Sequence, residues 1–195
     1  TTYYLDSAAG NDAYTGRSQT SPWRNIHKLN TITLLPGDTV LFKRGSFWRE
    51  QLDITRSGTA SAPITYSTYG TGSRPVLCGA ERVTGWTIYN ASAKIWRASY
   101  NWVSPIGPSW SSPDFILING IPSPKKSSIA ACTAERDWYY SGGVFYVNSS
   151  TTPTSVEVGT RNYGVFARDY GNIQHIVLEG FDVKSANYKS VMVGY

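Results

Sequence analysis

Charge is what this sequence has least of. Only 16% of its 195 residues are Asp, Glu, Lys or Arg, against about 25% in an average globular chain. Together with 41% apolar residues, that excludes a coiled coil and a disordered segment. The few charges lean positive, 18 Lys and Arg against 13 Asp and Glu. No dense basic run appears, however, the longest being pairs such as Lys125-Lys126, so nucleic acid is not an expected partner. No apolar stretch approaches the roughly 20 residues of a bilayer helix, and no membrane association is expected. Two His and two Cys are too few and too scattered for a zinc site. A phosphate-binding loop and a serine-hydrolase nucleophile elbow are likewise missing. Cys78 and Cys132 either close a disulfide or sit as two small buried thiols.

Aromatic residues are what the sequence has in excess: 7 Trp, 14 Tyr and 6 Phe, 14% of the chain. The length suits one domain with a sizeable core, or a domain carrying a large insertion. The first eighty residues contain a repeat. Ile64 and Tyr66 reproduce Val40 and Phe42 after 24 residues, and Val76 and Cys78 reproduce Leu52 and Ile54 after the same interval. Each segment alternates with the period of two that strands demand. Turn signals separate them at Pro36-Gly37-Asp38, Arg44-Gly45, Ser57-Gly58-Thr59 and Gly70-Thr71-Gly72. A common interval for separate strands predicts stacked coils, with Val40 beside Ile64 and Leu52 beside Val76. A meander of antiparallel hairpins is the competing arrangement.

Ahead of the first coil, Ser21-Pro22-Trp23 reads as a helix start, with Ser21 as N-cap and Pro22 in the first turn. Trp23, Ile26 and Leu29 follow on one face, suiting a short helix that caps the open end of the stack. Near the C-terminus, Gly164-Val165 and Ser190-Val191 bracket a coil of 26 residues. In it Ile176, Leu178, Phe181 and Val183 are expected inward, and Val177, Glu179 and Asp182 outward. Val191-Met192-Val193 begins another coil, so further coils or a partner chain are expected beyond Tyr195.

Between these regions the period breaks. Phe115-Ile116-Leu117-Ile118 runs into Asn119-Gly120, a two-residue hairpin signal. Trp138-Tyr139-Tyr140 and Val144-Phe145-Tyr146-Val147 flank Ser141-Gly142-Gly143, a second hairpin. The expected fold is all-β: a right-handed parallel β-helix with an N-terminal capping helix and an antiparallel β insertion. Residues 1–80 form the cap and first coils, 81–155 the insertion, and 156–195 the continuing coils.

The same residues carry a resemblance. Asp6-Ser7-Ala8-Ala9-Gly10-Asn11-Asp12, Pro22-Trp23, Pro36-Gly37-Asp38-Thr39-Val40, Trp48-Arg49-Glu50, Ser57-Gly58-Thr59, Pro63-Ile64-Thr65 and Tyr69-Gly70 resemble the N-terminal part of right-handed parallel β-helix proteins of the pectate-lyase-like superfamily. Ile118-Asn119-Gly120, Asp137-Trp138-Tyr139-Tyr140 and Phe145-Tyr146-Val147 look like the β insertion of some glycosidases in that group. The resemblance implies an extended polysaccharide lying along the outside of the stacked strands. It also implies, for the enzymes of the group, catalytic residues on coils beyond Tyr195.

Candidate chemistry within the chain is sparse. Glu179 and Asp182 form the best pair of outward carboxyl groups for glycosidic hydrolysis, which needs two of them about 5 to 9.5 Å apart; a solvated outer face with Lys184 beside it explains the same residues. Asp6, Asn11 and Asp12 make an oxygen-rich turn that suits Ca²⁺, although Asx-turn hydrogen bonding accounts for the pattern equally. No other cofactor is expected. Sugar rings pack their C–H faces on aromatic rings, which singles out Trp102 and Trp110 in a Pro/Ser-rich loop and Tyr163, Tyr170 and Tyr188 near the last corners, with Arg168 alongside. Trp23, Trp48, Trp86, Trp96 and Trp138 fit lid and core better. The expected role is that of a secreted unit binding a plant or microbial cell-wall polysaccharide. The competing roles are the N-terminal section of a glycoside hydrolase or polysaccharide lyase, and an adhesion or tailspike-like structural element.

Overall fold

The computed structural model describes residues 1–103, 112–167, 172–186 and 189–193. The chain divides into two compact units, Thr1–Gly79 with Tyr163–Tyr195, and Ala80–Asn162. The first contains β1 (Thr2–Leu5), a short helix α1 (Ile26–Asn30), β2 (Thr39–Lys43), β3 (Phe47–Trp48), β4 (Leu52–Ile54), β5 (Ile64–Tyr69) and β6 (Val76–Cys78). The second contains β7 (Ala80–Val83), β8 (Thr87–Asn90), β9 (Ile95–Ser99), β10 (Ile116–Ile118), β11 (Ile121–Pro122), β12 (Trp138–Ser141), β13 (Val144–Asn148) and β14 (Val156–Gly159). The chain then re-enters the first unit as β15 (Tyr163–Ala167), β16 (Ile176–Leu178), β17 (Asp182–Lys184) and β18 (Lys189–Val193).

Strand pairing in the first unit is parallel throughout. The sheets run β1-β2-β5-β16, β3-β6-β17 and β4-β15-β18. Successive triplets (β2, β3, β4, then β5, β6, β15, then β16, β17, β18) visit these three sheets in the same order, so antiparallel hairpins are excluded here. Val165 stands beside Val191, at the expected interval.

Two expected ladders differ. Val40 stands beside Tyr66 rather than Ile64. A slip of two residues preserves which side chains face the core, so pattern alone does not separate the two registers. Leu52 and Val76 are not neighbours at all: Leu52 pairs with Val165, and Val76 pairs with Phe47 and Asp182. The strand that follows β4 in its sheet arrives only after the chain has passed through the second unit. The apparent 24-residue repeat therefore joined strands of different sheets.

The inward row of each sheet supplies the core. Leu5, Val40, Phe42, Ile64 and Tyr66 meet Trp48 and Leu77 from the second sheet and Leu52, Ile54, Val165 and Ala167 from the third. Ile176, Leu178, Phe181 and Val183 are half-buried against this cluster, while Val177, Glu179 and Asp182 are exposed; all seven orientations match the alternation. Phe42 meets Trp48 and Phe181 edge-on, with centroids at 5.4 and 4.9 Å.

The capping helix is shorter than its sequence signal. It begins at Ile26 with Asn25 as N-cap; the Asn25 side chain makes no capping bond, and the first-turn amide of His27 donates to the Glu50 carboxylate at 2.6 Å. Trp23 is instead extended, bridged to Leu5 in a parallel sense. The Asp12 carboxylate accepts the amides of Arg24 and Asn25 at 2.8 and 3.0 Å, which ties down this segment and leaves Ser21 outside the helix. The apolar face is as expected, with Trp23, Ile26 and Leu29 all in the core.

Gly58 is held where its turn crosses the stack. A Cβ there would lie 2.6 Å from both the His175 carbonyl oxygen and the Ile64 nitrogen, and backbone cannot give way as a flexible side chain does. Gly58→Ala is expected to lower stability by about 1–3 kcal/mol, read as a fall in the thermal midpoint; an unchanged midpoint would refute this close approach.

The second unit is antiparallel. Its sheets run β11-β10-β14-β7 and β12-β13-β9-β8. Both expected hairpins are present, the second with Ser141 in its strand and a two-residue turn: Asn119, Gly120, Gly142 and Gly143 all have positive φ, as a turn matched to strand twist requires. The unit extends past residue 155, because β14 pairs with β7 and β10 and completes their sheet. Cys78 and Cys132 are both buried and form no disulfide, so they are two thiols and not a bridge. Burial, reinforced by Asp137, pushes the Cys132 thiol up to about 11. Among the described residues no helix is long and apolar enough to cross a membrane.

Candidate functional site

The structure sorts the sequence candidates by burial and partner. Trp102, expected as a sugar platform, is buried in the core of the second unit, where its indole N–H donates to the Gly159 carbonyl at 2.9 Å. No ring face is left for a ligand, and the polar Ser/Pro neighbourhood that suggested exposure is overridden by β14 closing over it. Tyr163 is half-buried, its ring stacked 4.5 Å from that of Phe166. Trp110, Arg168, Tyr170 and Tyr188 lie outside the described residues. Trp23, Trp48 and Trp138 are core residues, as expected.

Glu179, just past the end of β16, and Asp182, the first residue of β17, are both exposed. Glu179 accepts from the Ser67 hydroxyl at 2.9 Å, and Asp182 faces Arg74 at 3.8 Å. Gly180, with φ of +81°, makes the corner that separates them. The two carboxyl groups thus have different neighbours rather than a shared hollow. The oxygen-rich turn is engaged with donors of the chain itself. Asp6 accepts the amides of Ala8 and Ala9 and the Lys43 ammonium. Asn11 accepts the Ala13 amide, and Asp12 binds Arg24 and Asn25. Burial works against ionisation of Asp12, but the hydrogen bonds from Asn25 and Arg24 outweigh it and hold the carboxyl below its ordinary value. Among the described residues no group of three or more His, Cys, Asp or Glu is placed to hold a metal ion.

What the parallel stack does bring together is a row on the outer face of β3-β6-β17. Register puts Phe47, Val76 and Asp182 side by side, while Trp48, Leu77 and Val183 alternate inward. Phe47 is 39% exposed. The Arg49 guanidinium lies 4.9 Å from its ring centroid and the Lys184 ammonium 5.5 Å, contacts worth about 0.5–1 kcal/mol each when exposed. The Arg49 guanidinium also donates to the Cys78 sulfur at 3.6 Å, which holds the charged head beside the buried thiol. Arg74 lies at the edge beside Asp182. The face therefore offers cationic donors around an aromatic ring on a rigid sheet. That combination can engage the hydroxyl or carboxylate groups of an extended polymer, and it contains no acid and base paired for bond cleavage. Of these residues, Asp182 drew notice in the sequence with Lys184 as its neighbour, and Arg49 only within the resemblance; Phe47 and Arg74 drew none. The Phe47-Trp48-Arg49 alternation was the available signal, but a two-residue strand is too short to reveal which face is solvated.

No protein-family model matches the chain. Over 83 residues, 40% of its length, it is 46% identical to the lacto-N-biosidase of Bifidobacterium longum subsp. longum, of which it spans 5%. That stretch resembles a carbohydrate-active enzyme. The solved structure of XylC with xylose superposes on 97% of this chain and 36% of that one, with a TM-score of 0.78 at 17% identity, a likeness of fold. A lacto-N-biosidase from Eubacterium ramulus is 32% identical over 42% of this chain and 14% of that one, with a TM-score of 0.39. The chain thus spans a small fraction of the curated relative that it matches and about a third of the solved protein whose fold it shares. The nearly all-β architecture agrees with the sequence reading, and the similarity to a lacto-N-biosidase agrees with the carbohydrate-active side of the resemblance seen there.

Proposed function

We propose that this chain is a section of a right-handed parallel β-helix, in a larger secreted carbohydrate-active protein, and that it recognises a polysaccharide along the outer face of its stacked strands. The observation that carries the reading is the row of Phe47, Arg49, Lys184 and Arg74 on a rigid parallel sheet, in a chain whose sequence relative is a lacto-N-biosidase. Cations held against an aromatic ring present fixed donors to the hydroxyl or carboxylate groups of a sugar polymer, and sheet positions that are already ordered lower the cost of binding. Within the described residues the role is binding. Hydrolysis by the whole protein, if it is a glycosidase like its relative, is assigned to residues other than Glu179 and Asp182.

The test is native affinity electrophoresis of the chain in gels containing xylan, pectin, alginate or β-glucan. At least one glycan should retard it, and the double variant Phe47→Ala with Arg49→Ala should weaken retardation about tenfold, the equivalent of roughly 1.4 kcal/mol. Unaltered migration of the unsubstituted chain in every gel would sink the proposal. Release of reducing ends that disappears in Glu179→Gln would replace it with a catalytic role.

A further inference from the structure

The second unit carries an exposed aromatic surface that the parallel stack does not account for. In the sheet β12-β13-β9-β8, residues alternate between a buried face and an outer one. Trp138, Tyr140, Phe145, Val147 and Ala98 join the core. On the opposite face, register sets Tyr139 beside Tyr146, Tyr146 beside Arg97, and Arg97 beside Thr87, one residue from each of four strands.

Tyr89 joins this row because β8 is irregular between Ile88 and Asn90, which turns its ring onto the outer face. Its centroid lies 5.1 Å from that of Tyr146, and Tyr146 lies 6.3 Å from Tyr139, with planes inclined by 28°. The Arg97 guanidinium covers Tyr89 at 5.7 Å. Three tyrosines and one arginine thus form a continuous strip across the sheet. Tyr89 is 47% exposed, and Tyr139 and Tyr146 are half-buried. Such a strip is an unusual use of surface positions unless something covers it.

Two hollows flank the strip. One, of about 690 Å³, is lined by Tyr89, Asn90, Ser92, Lys94, Thr133 and Glu135 among others. The other, of about 400 Å³, is lined by Gly85, Thr87, Arg97, Ser99 and Val144. Both fall in the size range of small-ligand sites. Tyr89 belongs to the first hollow and Arg97 to the second, and these two side chains touch, so the hollows meet at the tyrosine strip. Their walls mix hydroxyl and amide groups with aliphatic side chains, Ile95, Ile129 and Val144 among them.

We propose that this strip is a second glycan-binding surface, laid out for a linear oligosaccharide that crosses all four strands. Tyr139 and Tyr146, the two rings of similar tilt, supply the apolar faces on which successive sugars rest, while Tyr89 stands edge-on to Tyr146 with Arg97 over it; the phenol hydroxyls bond to ring substituents at the edge. Arg97 is the charged residue in the row and supplies fixed donors between the hollows. Glu135, the carboxylate of the larger hollow, is already engaged by the Ser149 hydroxyl and the Ser150 amide. The occupant is a glycan because the walls set hydroxyl and amide groups (Ser92, Thr133, Asn90, Asn148) beside apolar ones (Ala93, Ile129), the mixture that a sugar ring matches with its hydroxyl edge and C–H face. This surface lies within Ala80–Asn162 and does not depend on the outer face of the parallel sheets.

The test uses the complete chain in the four glycan gels named above, with Tyr146→Ala, the pair Tyr89→Ala and Arg97→Gln, and the Phe47→Ala, Arg49→Ala variant as the independent comparison. Unchanged far-ultraviolet circular dichroism and thermal midpoint establish that each variant is folded. A tenfold or greater loss of retardation by at least one glycan in the tyrosine variants, retained in the Phe47/Arg49 variant, supports the strip as a separate site. Retardation untouched in the tyrosine variants overturns it, whether or not the Phe47/Arg49 variant loses binding. A dimer in light scattering that Tyr146→Ala dissociates also overturns it, since the strip would then bury against a second copy.

Discussion

Replacing Trp138 with alanine is expected to destabilise the second unit by about 3–5 kcal/mol, the range for removing a large buried aromatic side chain. Trp138 is completely buried. Its ring lies 5.9 Å from Phe145, the Lys125 ammonium sits 5.5 Å from its centroid, and its indole N–H donates to the Ser123 carbonyl at 2.8 Å. Alanine therefore opens a cavity and leaves a carbonyl without its donor. Trp138→Phe fills most of the space and loses mainly the hydrogen bond, so its cost should be clearly smaller. Urea unfolding followed by far-ultraviolet circular dichroism measures both. A loss under about 1 kcal/mol for the alanine variant, well short of the usual cost of such a cavity, would mean that this residue does not anchor the core.

Asp6→Ala should cost about 2–3 kcal/mol at neutral pH, as expected when a buried carboxylate leaves its donors unpaired. The side chain is 4% exposed and meets Lys43 at 2.9 Å. Its other oxygen accepts the Ala8 and Ala9 amides at 2.9 and 3.1 Å. Lys43 remains half in water, which keeps the cost below that of a fully buried pair. Burial alone raises the Asp6 carboxyl, but the hydrogen bonds from Lys43, Ala9 and Ala8 together outweigh it, and the net shift is downward from 3.8. Asp137 behaves alike: burial is outweighed by the Ala134 amide, Lys126 and the Thr133 amide. A carboxyl depressed in the folded state binds protons more readily when unfolded. Its contribution is therefore whole above the unfolded value near 3.8 and disappears as pH falls through the folded one. Thermal midpoints should be level in this respect from neutral pH down to about 4 and then fall. The fall should be shallower in Asp6→Ala, which has already lost that contribution; parallel curves for the two proteins would contradict it.

Much of the local structure was legible in the residues. Asn119-Gly120 and Gly142-Gly143 made their hairpins because those residue pairs accept positive φ at both turn positions. Ile176, Leu178, Phe181 and Val183 turned inward because strand geometry alternates faces. The interval between Val165 and Val191 was readable because no excursion interrupts that coil. Where the chain does make an excursion, the interval misled: Leu52 found Val165 rather than Val76. Ser21 and Pro22 carried a helix-start signal, but the tertiary bonds from Asp12 won over local preference.

The sites were harder to read for a related reason. Trp102 stands in a Ser/Pro-rich stretch and Tyr146 in the apolar run Val144-Phe145-Tyr146-Val147, yet the first is sealed by its bond to Gly159 and the second stands in an outer row. The sequence by itself determined which segments become strands, where the chain turns, and that aromatic surface would dominate the chemistry, since periodicity and turn preference act over a few neighbouring residues. Only the tertiary structure decided which strands lie side by side and which rings reach solvent. Those outcomes follow from register and from contacts between residues far apart in the chain, which local spacing does not encode.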